Sequence, residues 1–449
     1  MMLKKECFFL ILWIVLFSQA FSQKVWRLDD CIDYALKHNL SIQQKEINTK
    51  INKIDYNQSK LDVLPYASAN SGAGFYFGRS IDPTTNDMIT IRYFSNSYSV
   101  GSSVTLFSGF SKINRISYNR FICLAGKEEE KELENKVAFE VMNVFYDAVF
   151  YQGLYQIARQ QKELSELNLK NTQSLVKAGL KAKTDLLEIE AKLAAEELQL
   201  TRTKNLWESS LLLLKQIMDF PEGEPFNIEN SFLYSIFLVE DDLSAESIYR
   251  IAISHHPGIK AMEARLMASR KLLLTNMGYL LPSLSLSGGY GTGFYETRKD
   301  NTGKTVPFRD QIRMNAGQSI RLSIGIPIFG KWNGHAKLKR AKLNYIQSET
   351  ELEIREKDLY NEIEKAIRDL LALEAEYKQA LKKVEASDVA FELSEKKYNQ
   401  GLINIIELYS TKNDLANARS DVLRSRTQLE IKLKTIDFFK GIFTFSLSL

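Results

Sequence analysis

Few residues in this chain stand where chemistry could be done. Gly288-Gly-Tyr-Gly-Thr-Gly293 is glycine-rich enough to suggest a phosphate cradle, but it sits in a strand-to-loop stretch and opens no helix of a βαβ unit. His255-His256 offers two imidazoles, yet it abuts Pro257 and reads as a helix-ending turn rather than a metal pair. The three cysteines form no CxxC or Cys/His cluster, and Cys31 and Cys123 are expected at different depths along long helices, too far apart for a disulfide. No nucleophile has a base at a readable spacing, so the chain reads as a non-enzyme without a cofactor or metal. Two carboxylates do occupy matched places: Asp185 and Glu407 follow Gly179 and Gly401 by six residues each. At the start of a helix, carboxylates in such positions stabilise the N-terminus.

Composition narrows the class of protein. With 45% hydrophobic and 25% charged residues in 449, the chain matches globular averages, which excludes wholesale disorder and collagen-like structure. Its 59 basic and 55 acidic residues leave a net +4, too small a footprint to suggest nucleic acid. Lys4 and Lys5 precede an apolar run from Cys7 to Phe17, then Ser18, Gln19, Ala20, Phe21 and Ser22. That order predicts a secretory signal peptide over residues 1–22, cut after Ala20 or Ser22. A retained anchor is the alternative, although the run falls short of the ~20 residues of a spanning helix.

The rest of the sequence repeats itself. Phe107 and Phe329, Gly179 and Gly401, and Asp185 and Glu407 share one displacement, 222 residues. The seam is the Pro-rich loop Phe220-Pro-Glu-Gly-Glu-Pro225, which divides the mature chain into 23–225 and 226–449. Each copy reads helix, strand, strand, very long helix, turn, helix. No proline lies between Pro83 and Pro221 or after Pro327, so long helices are possible there. Leu359, Ile363, Ala366, Leu370, Leu373, Tyr377, Ala380, Val384, Ser387 and Phe391 alternate spacings of four and three, a heptad seam. Val137, Val141, Val144, Ala148, Tyr151, Tyr155 and Ala158 form its counterpart. Ser111 to Ala178 and Gly334 to Gln400 are 68 and 67 residues, each about 100 Å as helix, with Gly179 and Gly401 as left-handed caps.

Four short segments alternate with period two. Ile320, Leu322, Ile324, Ile326 and Ile328 face one way, and Tyr98, Val100, Val104 and Leu106 do the same in their strand. The expected membrane strands are about 66–77, 98–107, 283–291 and 320–328, near the ~9–11 residues of a tilted transmembrane strand. Aromatic residues gather at their ends. Lipid tolerates no open sheet edge, and known barrels begin at eight strands, so four per chain imply several copies. The joining segments, Gly78 to Ser97 and Gly291 to Ser319, are polar and turn-rich and are expected as outward-facing loops.

With these features together, the chain resembles the TolC family of outer-membrane efflux factors. The resemblance rests on the duplicated order, Pro65 and Pro282 opening the strand pairs, and the exits Val104-Thr-Leu-Phe-Ser-Gly109 and Ile326-Pro-Ile-Phe-Gly330. It extends to the Gly-Leu turns, to Trp26-Arg-Leu-Asp-Asp-Cys-Ile-Asp-Tyr-Ala-Leu-Lys-His-Asn-Leu, and to the His-Pro ending at His256-Pro257. It implies a homotrimer whose chains share a 12-stranded barrel continuous with a periplasmic helical barrel. The implied role is the exit duct of a tripartite pump or type I secretion system in a Gram-negative outer membrane. Its partners would be a periplasmic adaptor and, through it, an inner-membrane RND, ABC or MFS transporter.

By position, Gly179, Leu180, Gly401 and Leu402 become adaptor-contacting tips, while Thr184, Asp185, Tyr398 and Glu407 line the periplasmic entrance. Pro65, Pro282, Phe107 and Phe329 mark where the chain joins and leaves the barrel. A ring of up to six carboxylates would favour cations. Two positions depart from the pattern: Ile406 stands where Thr or Ser precedes the acid, and Ile403 where some members carry an entrance-latching Arg. Tyr398 with Asp185 would make a weaker latch. A periplasmic coiled-coil scaffold or pump adaptor is the other reading, but an adaptor needs only one hairpin.

Overall fold

The computed structural model describes residues 24–81, 86–90, 92–229 and 243–442. The expected signal peptide lies outside them. The chain divides into two compact units, one built from Glu46–Glu129 and Gly258–Arg355, the other from Met1–Lys45, Glu130–Pro257 and Glu356–Leu449.

The first unit holds a four-stranded antiparallel sheet. Its strands β2 (Tyr66–Tyr76), β5 (Tyr93–Ser108), β7 (Ser283–Tyr295) and β8 (Gly317–Gly325) pair in that order, leaving β2 and β8 as edges. Register puts Tyr98 beside Thr292, Val100 beside Tyr290 and Val104 beside Leu286, so the apolar residues of neighbouring strands share a face. That face is bare in the single chain: Ile320 is 86% and Ile324 68% exposed. The opposite face carries mainly Ser and Gly, with Asn70 and Arg321 among them and tyrosines toward the strand ends. The last strand is expected to reach residue 328 but ends at Gly325, two residues before Pro327, which lacks the N–H a ladder needs.

The joining segments are not plain loops, contrary to expectation. Within 78–97 lie β3 (Arg79–Ile81) and β4 (Met88–Thr90), a small hairpin, and β5 itself begins at Tyr93. Within 291–319, β7 continues to Tyr295 and a seven-residue helix, Phe308–Met314, follows. Gln311 holds that segment folded: it accepts from the Tyr295 N–H at 3.0 Å and donates to the carbonyls of Tyr295 and Val306, both at 2.9 Å.

The opening helix expected in the first copy is broken into two, α1 (Leu28–His38) and α2 (Leu40–Leu61); in the second, α5 (Ala245–His255) ends at the turn expected at His255-His256, and α6 (Pro257–Gly278) follows. At the first break Asn39 is extended, and its side chain accepts from the Ser41 and Ile42 N–H groups. At the second, Pro257 starts the new helix and pushes His256 into the extended region. The seam loop packs through Phe220 and Phe226 against Trp26, and β6 (Asn227–Ile228) pairs in parallel with β1 (Val25–Trp26).

Long helices dominate. α3 (Ser111–Lys177) and α8 (Asn333–Asn399) have 67 residues each; α4 (Lys183–Ile217) and α9 (Ile405–Phe439) have 35 each. Both pairs start 222 residues apart (333 − 111 and 405 − 183), whereas the helices before the sheet start 217 apart (245 − 28 and 257 − 40). The five-residue difference is therefore taken up between the strands of each pair. The heptad stripe is buried or half-buried along its length, with Leu359 and Ile363 fully covered, because only an apolar seam stabilises helices against one another. Gly153 lets α3 approach α9: a Cβ there would come within 2.4 Å of Leu423.

Each exit from sheet to long helix uses two consecutive residues at positive φ, Gly109 and Phe110 in one copy, Lys331 and Trp332 in the other. At Gly109 a side chain is excluded outright, since its Cβ would lie 2.3 Å from the Gly278 carbonyl. Cys31 and Cys123 are free, buried thiols, and burial raises the Cys31 pKa to about 12. Among the described residues no helix is long and apolar enough to cross a membrane.

Candidate functional site

The hairpin turns are built alike from the backbone up. Gly179 and Gly401 both have φ +73°, the left-handed conformation that closes a helix without the strain a side chain brings. The Leu180 N–H donates to the Leu175 carbonyl at 2.9 Å and the Gly179 N–H to Val176 at 3.0 Å. Leu402 to Lys397 and Gly401 to Tyr398 repeat those bonds at 2.9 and 3.0 Å, so both turns are Schellman caps. Leu180 and Leu402 project 72% and 69% exposed.

Behind the turns the two hairpins interlock. Ile189 of α4 and Ile405, Leu408 and Tyr409 of α9 form a buried cluster, joined by Leu169, Phe391, Tyr398 and Ile403 from both hairpins. Ile403, where the resemblance puts a latching arginine, is thus part of an apolar plug. The cation is found instead at Lys181, whose Nζ donates to the Tyr398 hydroxyl at 2.6 Å and lies 4.0 Å from its ring centre. Lys181 is the repeat partner of Ile403 (403 − 222), so the charge has moved to the other hairpin. Tyr398 is tied to Lys181 rather than to Asp185.

Asp185 and Glu407 stand in the first turns of α4 and α9, and neither carboxylate has a hydrogen bond or ion pair among the described residues. Glu407 spends only its backbone N–H, which Asn404 accepts at 2.9 Å as the helix cap. Thr184 is exposed, and Ala182 caps α4 without a side-chain bond. Both carboxylates are therefore free to act on solvent or solute.

Further along the same helices lies a buried charge. Lys412 of α9 is 1% exposed and donates to Glu196 Oε1 at 2.8 Å, Ser165 Oγ at 2.7 Å and the Gln161 carbonyl at 2.7 Å. Ser165 also shares a 2.8 Å hydrogen bond with the Tyr409 hydroxyl. Burial holds the Lys412 amine below its ordinary pKa, with Glu196 pulling the other way, and burial raises the Tyr409 phenol to about 12. A cavity of about 520 Å³ adjoins this group, lined by Gln161, Lys192, Glu196, Tyr409 and Asn413 among others. Saturating all three donors of one ammonium ties α9 to both α3 and α4 at a single point.

The chain is similar to known outer membrane proteins. The outer membrane efflux protein family matches residues 248–441. An outer membrane protein for pyoverdine export, OpmQ of Pseudomonas putida, is 22% identical over 298 residues, 63% of this chain and 58% of that protein. TolC of Escherichia coli is 23% identical over 318 residues, 67% of this chain and 60% of TolC. The chain thus spans under two thirds of those two relatives, although TolC of Vibrio cholerae, at 21% identity, is aligned over 84% of both. Among solved structures, CusC superposes with a TM-score of 0.79 at 14% identity, covering 94% of this chain and 95% of that one. OprN gives 0.79 at 18%, covering 93% and 91%.

Over residues 248–441 the chain matches the outer membrane efflux protein family, and it is similar to the outer membrane proteins TolC and OpmQ. In this chain Pro65 and Pro282 immediately precede β2 and β7, Phe107 lies in β5, and Phe329 follows β8, 81% exposed. Reading the sequence missed Lys181, Asn404 and Lys412. The first two carried a signal: Lys181 occupies the repeat position of Ile403, and Asn404 precedes Glu407 by the three residues of a capping pattern. Lys412 carried none, since its partners are 216 to 251 residues away.

Proposed function

We propose that three copies close a 12-stranded barrel continuous with a helical tunnel, each chain contributing two tandem repeats. The assembly acts as the outer-membrane exit duct of a tripartite efflux pump or type I secretion system. The observation that carries this reading is the four-stranded sheet with free edges at β2 and β8 and a bare apolar face from Ile320 to Ile324. Exposed edges and apolar area of this extent are unstable in water and impossible in lipid unless further strands complete the ring.

In this arrangement Gly179-Leu180 and Gly401-Leu402 dock a periplasmic adaptor, which couples the duct to an RND, ABC or MFS transporter of the inner membrane. Asp185 and Glu407, with Thr184 and Tyr398, line the entrance, where three chains bring six carboxylates to one constriction and favour cations. Single-channel recording tests the assignment. Asp185→Asn with Glu407→Gln should lower cation preference several-fold at low salt, as removal of a charged ring does; unchanged selectivity would remove both residues from the pore.

A further inference from the structure

The helix inside the β7–β8 segment, α7 (Phe308–Met314), does not sit at random. Its Phe308 ring lies 5.6 Å from Phe294 and 6.5 Å from Tyr98, and the Thr292 hydroxyl donates to the Ile312 carbonyl at 2.5 Å. Tyr98, Thr292 and Phe294 all belong to the apolar face of the sheet, by the register that pairs Tyr98 with Thr292. So α7 lies across the apolar face at the end of the strands remote from the long helices. Phe308, Gln311 and Ile312 turn inward; Arg309 and Arg313, four residues apart and exposed, form its outer stripe. Neither guanidinium has a hydrogen bond or ion pair among the described residues.

Two like charges one helical turn apart, with side chains about 5–6 Å apart at their bases, disfavour a short helix unless an anion lies between them. A third guanidinium stands at the same end: Arg92 lies 4.9 Å from the ring centre of Phe75, which is on the apolar face, and 5.1 Å from that of Phe77. The acids nearby do not cancel this charge. Glu296, which accepts from the Phe94 N–H at 2.7 Å, and Asp310, on α7 itself, are two carboxylates against three guanidiniums. Arginine forks matched to phosphate, set above an aromatic band that continues an apolar strand face, are suited to a ligand whose head is a phosphate and whose body is hydrocarbon.

We propose that α7 is an interfacial anchor, and that Arg309 and Arg313, assisted by Arg92, bind the phosphate of an anionic lipid headgroup in the outer leaflet. This rests on the duct reading, because the apolar face must meet lipid. The occupant is a lipid rather than free phosphate because the guanidiniums border the apolar face instead of an enclosed pocket.

The test uses the full-length protein in detergent micelles, titrated with diphosphoryl lipid A and read by native mass spectrometry. Wild type should retain that lipid about tenfold more strongly than the same glycolipid stripped of its phosphates, and R309Q/R313Q should lose about that factor. R309K/R313K, which keeps the charges, should retain most of the binding, and R309Q/R313Q should still form conducting trimers in planar bilayers. Equal retention of the two glycolipids, or by R309Q/R313Q and wild type, would overturn the proposal while leaving the duct intact. Complete displacement by millimolar inorganic phosphate would likewise overturn it, by marking a free-anion site. If wild type formed no trimers, the duct reading would fail and the anchor with it.

Discussion

The two hairpins of this chain share a backbone and differ in chemistry. α3/α4 and α8/α9 have the same lengths, the same φ at the turning glycine and the same cap bonds. Yet the first hairpin supplies Lys181 and Glu196, while the second supplies Tyr398 and Lys412, and each residue of one set finds its partner in the other. The two hairpins are rods of equal length, and a few side chains make them complementary. The backbone is therefore set by local rules that act on each copy alone, whereas the pairing is specified by contacts across more than 200 residues.

Breaking the pairing should have the largest effect. Lys412→Met leaves the mostly buried Glu196 without its partner and should cost about 3–5 kcal/mol in denaturant unfolding of the purified protein. Lys412→Met with Glu196→Gln removes both charges and should recover most of that loss. A single substitution as harmless as the double one would mean the pair is not buried in the assembled protein.

Backbone changes should treat the hairpins equally. A Cβ added at Gly179 or Gly401 meets no atom within 4 Å, so Gly179→Val and Gly401→Val should each cost about 1–2 kcal/mol, chiefly through left-handed strain. Both should weaken adaptor capture in a pull-down while insertion of trimers persists; lost trimers would assign the glycines a structural role only. The caps, by contrast, differ. Asn404→Ala should lose about 1 kcal/mol and Ala182→Asn should gain up to about the same, seen as opposite shifts in thermal unfolding.

The smallest effect concerns pH. Burial depresses the folded-state pKa of Lys412 below its ordinary value of 10.5, so between the two values the unfolded chain binds more protons and stability rises with pH. The penalty for keeping the amine charged is fully present below the folded value and vanishes above 10.5. The stability of wild type relative to Lys412→Met/Glu196→Gln should therefore increase between neutral pH and about 10, measured by denaturant titration. A relative stability that falls over this range would give Lys412 a raised pKa instead.

What the sequence displays follows the same division. Helix lengths, glycine caps and strand alternation are written in proline placement and periodicity, which act within a few residues, and they could be read directly. The helix break at Asn39 and the fold of 291–319 could not. Asn39 acts through its own turn in a stretch that otherwise reads as continuous helix, and Gln311 holds its segment by reaching back to Tyr295. Lys412 in Tyr409-Ser-Thr-Lys-Asn-Asp414 looks like a solvated charge, and only the approach of α3 and α4 buries it. At the entrance, position could be carried from one copy to the other, but which copy bears the cation could not.

The account stands on a sheet that one chain leaves open. Native mass spectrometry of protein extracted from outer membranes in mild detergent tests this directly. The account predicts a single species of three chains that conducts when placed in a planar bilayer. A one-chain species that stays in aqueous buffer without detergent and passes no current would contradict it.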